Sequence, residues 1–452
     1  MWRDGRLVAA ALIALALLAT AFAIDWQRQQ TYEIERRAAQ ALDYDTWLKQ
    51  SDRHPHDAAH QGMHVFKPLP ALASIDPGIT PYAGSTIWLQ AHRQSEMRFR
   101  AVQDATGLQR FGNLSVAWVL QVLAPLIVIV LGFNMLSGER EQGTLKQTLS
   151  LGVRLRDIVF GKALALVSAI TLLLSPALIA LIVAVATSER ASDDGLRAVA
   201  LAASYAAYFA IAVAVVLAIS ALARSSRASI AWLLALWIVG VTLLPRAAAD
   251  LARELYRSPS RAEFSKALDG ELSAAHEAAW KREFSTTKRW GTELPLARWG
   301  EALRLDDRVG YEVMDKHFAA LWQSFADQQH AQALAGTATP ILALRKASMS
   351  LAGTDFASHR HFAQAAERHR RTMQDIISED LVHHADPRGA GHFDYQANHD
   401  LWEKIPPFNY APPNMATAIK EAGISLSALA LNLAFAFCFL AFALRYRARR
   451  LL

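Results

Sequence analysis

Six long apolar runs divide the chain: Leu7–Ile24, Leu114–Leu136, Ala163–Thr187, Ala198–Ala223, Ser229–Leu244 and Ile424–Leu444. A helix needs about 20 apolar residues to cross the hydrocarbon core of a bilayer, so each run predicts a membrane-spanning helix. The fifth is short and ended by Pro245. Pro125 lies near the middle of the second, where neighbouring helices can satisfy the carbonyl it frees. Ser168, Thr171, Ser175 and Pro176 of the third run predict packing against another helix. The first run contains Ala21-Phe22-Ala23, which fits a signal-peptide cleavage pattern, yet its 18 residues are enough to span. Either outcome sends the next segment across the membrane.

Between the runs lie polar segments of unequal size. Residues 1–24 hold the first span, and 25–112 form a segment of domain size. Within it, Trp26–Lys49 continues the helical pattern, residues 51–84 read as loop, and Thr86–Gln109 reads as helix again. Residues 113–245 hold spans two to five. Residues 246–420 form a second large segment, with Leu251, Leu255, Phe264, Leu268 and Leu272 at helical spacing. A break at Gly336–Pro340 precedes more helix to His384, and a proline-rich stretch through Pro413 leads back to the membrane. Residues 421–452 are the sixth span and a basic tail. The fold class expected is an all-α membrane protein: six transmembrane helices, with the two large insertions forming one mainly helical extracytoplasmic domain.

Charge orients this arrangement. The formal net charge of +6 suggests nucleic acid until its location is read. Thirteen basic residues flank the spans on one side: Arg3, Arg6, Arg140, Lys146, Arg154, Arg156, Lys162, Arg224, Arg227, Arg445, Arg447, Arg449 and Arg450. The short loop Ser188–Gly195, on the other side, has one arginine and three acids. The positive-inside rule then places both termini in the cytoplasm and both large segments outside. A bacterial inner membrane is the expected location, with no nucleic-acid partner.

The remaining inner loop, Ser137–Lys162, is dense in charge and too polar for lipid. It reads as a short charged helix, a turn at Leu151–Gly152 and an amphipathic helix re-entering the membrane. Its Glu139, Glu141, Gly143, Thr144 and Leu145, followed by a Leu/Ser run and by Gly161-Lys162, resemble the pattern of ABC-2-type transporter permeases. That resemblance implies a coupling helix touching a separate ATPase subunit, with Glu139, Arg140, Glu141, Gly143, Thr144, Leu145 and Leu149 as the ATPase-coupling residues. Glu139 and Glu141 are expected to face basic groups of the ATPase. Leu145 and Leu149, four apart on one helix face, are expected to fill an apolar pocket on it. Residues from Phe66-Lys67-Pro68 to Ala91-His92-Arg93-Gln94 resemble the subgroup with a large extracytoplasmic domain, the DUF3526 family. The resemblance further implies a second permease copy or homologous permease as partner.

Several chemistries lack their motifs. No G-x-x-x-x-G-K-[ST] occurs, and Ala163 follows Gly161-Lys162, so ATP is expected to bind the partner and not this chain, which has no cofactor of its own. No H-E-x-x-H or G-x-S-x-G supports a protease or esterase. The lone Cys438 allows no internal disulfide. Three loose sets of histidine stand out: His54, His56, His60 and His64; His359, His361 and His369; and His383, His384, His392 and His399. Imidazole suits zinc or copper, but no set has the spacing of a closed metal site, so they read as solvated or helix-surface residues. The function expected is the permease subunit of an ATP-driven exporter. The alternatives are a mechanotransmission complex acting on periplasmic or outer-membrane partners and, more weakly, a membrane receptor or sensor. The spans are nearly free of charge, which implies no ion or proton relay and is compatible with a lipophilic or amphiphilic cargo.

Overall fold

The computed structural model describes residues 5–100, 114–291, 293–384 and 394–451. Expectations at Arg3, His392 and the boundary at residue 112 lie outside that set. Among the described residues six helices are long and apolar enough to cross a membrane, and the protein is an all-α membrane protein.

The first helix, α1 (Arg6–Leu48), runs 43 residues. Its sequence contains neither glycine nor proline, so nothing ends it at the apolar boundary. At about 1.5 Å per residue it is roughly 64 Å long, twice the hydrocarbon thickness. Leu18 and Ala21 are buried in the bundle core. Beyond the apolar run, Glu33 pairs with Arg36 and Arg37 along one face.

The first large segment is not loop over all of residues 51–84. It holds a helix α2 (Pro55–Gln61) and an antiparallel hairpin, β1 (Met63–Phe66) with β2 (Thr86–Leu89), in register Met63↔Leu89 to Phe66↔Thr86. The helix expected over Thr86–Gln109 is therefore corrected: its start is a strand, and residues beyond 100 lie outside the described set. Thr86, Ile87, Trp88 and Leu89 are β-branched, aromatic or apolar residues that suit a half-buried strand.

Of the three spans that contain a proline, the second and the fifth solve the same problem in the same way. A π-helical turn, Val119–Leu123, precedes α3 (Ala124–Gly132) and Pro125. Proline has no N–H to give the preceding turn. The freed Gln121 carbonyl accepts from the Tyr208 hydroxyl at 2.9 Å, and the Val122 carbonyl from Trp237 Nε1 at 3.1 Å. The connecting segment follows, with α4 (Ser137–Glu141) and α5 (Thr144–Ser150), then the third and fourth spans, α6 (Leu155–Ala186) and α7 (Ala191–Leu222). The fifth span begins as α8 (Ser226–Trp237), passes a π-helical turn at Ile238–Leu243, and continues as α9 (Leu244–Leu255). Pro245 thus does not end it. It sits in the first turn of α9, and the Gly240 carbonyl above the gap accepts from Thr339 Oγ1 at 2.9 Å.

The second large segment is helical: α10 (Arg261–Phe284), α11 (Trp299–Ala335), α12 (Pro340–Ala352) and α13 (Phe356–His383). The last span is α14 (Met415–Leu451). Phe264, Leu268 and Leu272 of the expected spacing pack on Val313, Met314 and Phe318 of α11, whereas Leu251 and Leu255 stay exposed. The two large segments build one head. Trp47, Met63, Val65 and Leu89 from the first share a core with Phe362, Met373 and Trp402 from the second. Full burial of such side chains stabilises by about 1.5–3 kcal/mol each.

The second segment does not remain wholly in the head. Ile341, Ala343, Leu344 and Leu351 of α12 belong to the bundle core, and Asn432 of the last span donates to the Gly336 carbonyl at 2.8 Å. Gly336–Pro340 is thus the tip of a helical hairpin that dips between the spans. Irregular backbone is tolerated there because side chains of the spans and of the tip itself complete its hydrogen bonds.

Candidate functional site at the far end of the bundle

The connecting segment lies at the end of the bundle opposite the head. Gly143 breaks it into two helices by adopting a left-handed conformation, φ +78°. Thr144 Oγ1 closes the break by donating to the Glu139 carbonyl at 3.1 Å. Leu145 is 3% exposed, buried against its own chain. Lys162 on α6 reaches back to Glu139 at 2.6 Å, and Ser226 donates to Glu141 at 2.5 Å. Arg140 points inward, to the Ala221 carbonyl at 2.9 Å and to the Ala223 carbonyl.

The seven residues expected to couple therefore come together on one short segment. Glu139 and Glu141 have partners in this chain, and Leu145 faces inward. Leu149 is half-buried. The surface turned outward includes, besides exposed Glu141 and Thr144, the turn after α5. Leu151 is 82% exposed and Val153 is exposed too, flanked by exposed Lys146, Arg154 and Arg156. Two apolar residues in a glycine-containing turn between cations were the available signal.

This end is tied to α7. Ser220 Oγ accepts from the backbone N–H of Leu136 at 3.0 Å and of Ser137 at 3.2 Å. Arg447 of α14 donates to the same Ala221 carbonyl as Arg140, at 2.7 Å, and to Leu222. Unpaired carbonyls at a helix C-terminus attract cations in this way. The other end of α7 holds the head. Buried Arg197 pairs with Asp193 at 2.8 Å and donates to the carbonyls of Leu351 at 3.3 Å and Pro413 at 2.5 Å. The Met415 N–H donates to Asp193 at 2.8 Å.

Midway along α7 lies a polar cluster that the charge-poor spans gave no sign of. Asp76, from the head, is buried there and accepts from Ser348 and, at 3.0 Å, from the Gly78 N–H. Desolvation holds its carboxyl above the ordinary range. Tyr205 joins it through Ser348 at 3.2 Å, and Gln121 donates to Tyr205 at 2.8 Å. Near the hairpin tip, a cavity of about 580 Å³ is lined by Pro125, Trp237, Gly240, Thr337, Asn432 and Phe435.

All 15 histidines lie in the two large segments. His56, His60 and His92 converge, each placing a ring nitrogen within 4.8 Å of the others. Burial, then the neighbouring imidazoles of His92 and His60, push His56 down to about 3. His64 instead contacts Asp43 at 3.1 Å and stacks on Trp88. His361 and His369 pack on Tyr410 and Phe408, and His383, His384 and His399 face Glu379, Asp380 and Glu403. Burial, then Lys67 and Arg100, push His359 down to about 3, and burial lowers Lys67 to about 8.

Residues 2–264, more than half of the chain, match the family described as ABC-2 family transporter protein. The chain belongs to the ABC-2 transporter family. Residues 247–411 match the domain of unknown function DUF3526, the expected subgroup, although the stretch from Phe66 to Gln94 that suggested it falls within the first match. No curated protein and no solved structure matches the chain. ABC-2 membership makes this protein a membrane permease of an ABC transporter and implies an ATPase partner and a pairing of permeases. Permeases of this family are normally the non-catalytic membrane subunit.

Proposed function

We propose that this ABC-2 permease is the membrane subunit of an ATP-driven exporter whose separate ATPase docks on Ser137–Lys162 from the cytoplasm, with both termini on that same side of a bacterial inner membrane. The single observation that carries the proposal is the double grip on α7. One helix of 32 residues, about 48 Å long, is tied at its C-terminal end to the connecting segment and at its N-terminal end to the head. A push on the connecting segment thus reaches the head through one rigid element. The apolar cavity beside the hairpin tip supports a lipophilic or amphiphilic cargo. ATP stays with the partner.

The same rod, together with α1 rising unbroken into the head, favours a second reading: mechanical work on partners beyond the membrane with no cargo moved. Both readings need the ATPase on the exposed turn. Leu151→Asp with Val153→Asp is expected to cut co-purification of the ATPase about thirtyfold, a loss of roughly 2 kcal/mol typical of an interface anchor. The melting temperature of the permease alone should not change, since both side chains are exposed. Undiminished co-purification overturns the docking assignment. Labelling of a cysteine placed at Ser226 by an impermeant reagent from outside overturns the orientation.

A further inference from the structure

The convergence of His56, His60 and His92 is unlike the other histidine contacts of the head. His56 and His60 are four apart on α2 and so share one face. His92 lies far along the chain, yet the backbone brings it to them. The Ala91 N–H donates to the Ala59 carbonyl at 3.0 Å. Gly62, at φ +59°, lets the chain turn from α2 into β1 so close to β2 that a Cβ there would lie 1.9 Å from the Leu89 carbonyl oxygen. His92 itself is held at φ +63°, a conformation costly for a residue with a side chain.

The ring geometry is that of ligands facing a common point. His56 Nε2 and His92 Nε2 are 2.9 Å apart. The ring centroids of His60 lie 4.6 Å from His56 and 5.1 Å from His92. Nitrogens bound tetrahedrally at about 2.0–2.1 Å from zinc would sit roughly 3.3 Å apart, so small side-chain adjustments suffice. A metal ion would replace the hydrogen bond that now joins the two Nε2 atoms.

The second, independent observation is Asp307 of α11. Its carboxylate is buried, and its Oδ1 has no hydrogen-bond partner among the described residues; its Oδ2 accepts from Ser378 at 2.7 Å. That orphaned oxygen lies 3.7 Å from His92 Nδ1, the nitrogen turned away from His56. A metal-bound imidazole regularly gives its other N–H to a carboxylate, which fixes the tautomer and strengthens the ligand.

We infer that His56, His60 and His92 form a three-imidazole site for a late first-row divalent ion, Zn²⁺ or Cu²⁺, with Asp307 as the carboxylate behind His92. All-nitrogen ligation selects these ions over Mg²⁺ and Ca²⁺, which take oxygen. Exposed His60 leaves the fourth position open to water or to a ligand from outside. Because the ligands belong to the first large segment and Asp307 to the second, bound metal also fastens the two halves of the head.

The full-length protein, purified in detergent without a histidine tag and stripped with chelator, is titrated separately with Zn²⁺, Cu²⁺ and Mg²⁺. One equivalent of Zn²⁺ or Cu²⁺ should bind per chain, Mg²⁺ should not, and the Cu²⁺ spectrum should show nitrogen coupling. Exposed His60→Ala and His92→Ala should abolish stoichiometric binding, and Asp307→Asn should weaken it roughly 10–100-fold. His399→Ala, outside the cluster, should bind as wild type. Metal should raise the melting temperature of wild type and not of His60→Ala, whose apo form should melt as wild type does. Absence of stoichiometric binding, or binding unchanged in His60→Ala, overturns the site.

Discussion

Both ends of α7 are held by arginine, but the two joints are built differently. At the head end, one buried guanidinium has a carboxylate, Asp193, and two backbone carbonyls. At the far end, two guanidiniums of like charge converge on the Ala221 carbonyl, and among the described residues neither has a carboxylate within ion-pair distance. Their repulsion is offset only by the partial charge of the helix C-terminus and by neutral acceptors. The head joint is therefore the stiffer one. The far joint, beside the exposed turn, is the one that a docked partner can most easily rearrange.

The largest effect should come from the stiff joint. Arg197→Leu leaves Asp193 with only the more exposed Arg190, at 3.1 Å, and two carbonyls without a donor, a loss on the order of 3 kcal/mol. The expected outcome is a large fall in melting temperature in detergent. A fall no larger than that of an Arg140 variant would break the comparison.

Acid should act next, and only on the head, because no histidine lies at the far end. His359 is held neutral by burial, with Lys67 and Arg100 adding to the effect, and its pKa falls from 6.5 to about 3. The unfolded chain binds this proton more readily, so the stability is present in full above about pH 6.5 and is lost as pH falls towards 3. Between pH 7 and pH 5 this one group removes about 2 kcal/mol. Tryptophan emission, reporting Trp322 beside His359, should show the head loosening before a probe placed at Ser226 responds. His359→Leu should weaken that dependence, with His56 leaving a remainder.

The smallest effect sharpens the contrast. Arg140→Ala removes hydrogen bonds worth about 1–2 kcal/mol, since Arg447 still satisfies the Ala221 carbonyl. Amide exchange should rise in α4 and α5 while the head stays protected. Protection lost equally in both regions would mean that the far joint is as deeply built in as the head joint.

Much of the fold was legible because a bilayer filters sequence harshly. The six apolar runs and the helical spacing of Phe264, Leu268 and Leu272 could be read directly. The hairpin β1–β2 could not, since four-residue strands offer too short a period to separate from loop or helix. Nor could the continuation of the fifth span past Pro245, which depends on a hydroxyl from Thr339, about 100 positions away. At the candidate site, the location was legible and the direction of each side chain was not. Glu139, Glu141 and Leu145 look alike in sequence whether they face a partner or their own chain. The structure gives Glu139 the ammonium of Lys162 and exposed Glu141 the hydroxyl of Ser226, and it turns Leu145 inward.

The number of spans, the side on which basic residues gather, the position of the connecting segment and the family are all written in the order of residues. Each depends on local composition or on a short contiguous motif. It takes the folded chain to show which residues of that segment remain exposed, that α12 dips into the bundle, that Asp76 is buried beside Tyr205, and that His92 joins His56 and His60. These depend on groups that are distant along the chain, whose meeting is set by packing and by the need to pair every buried polar atom, and no local pattern encodes that.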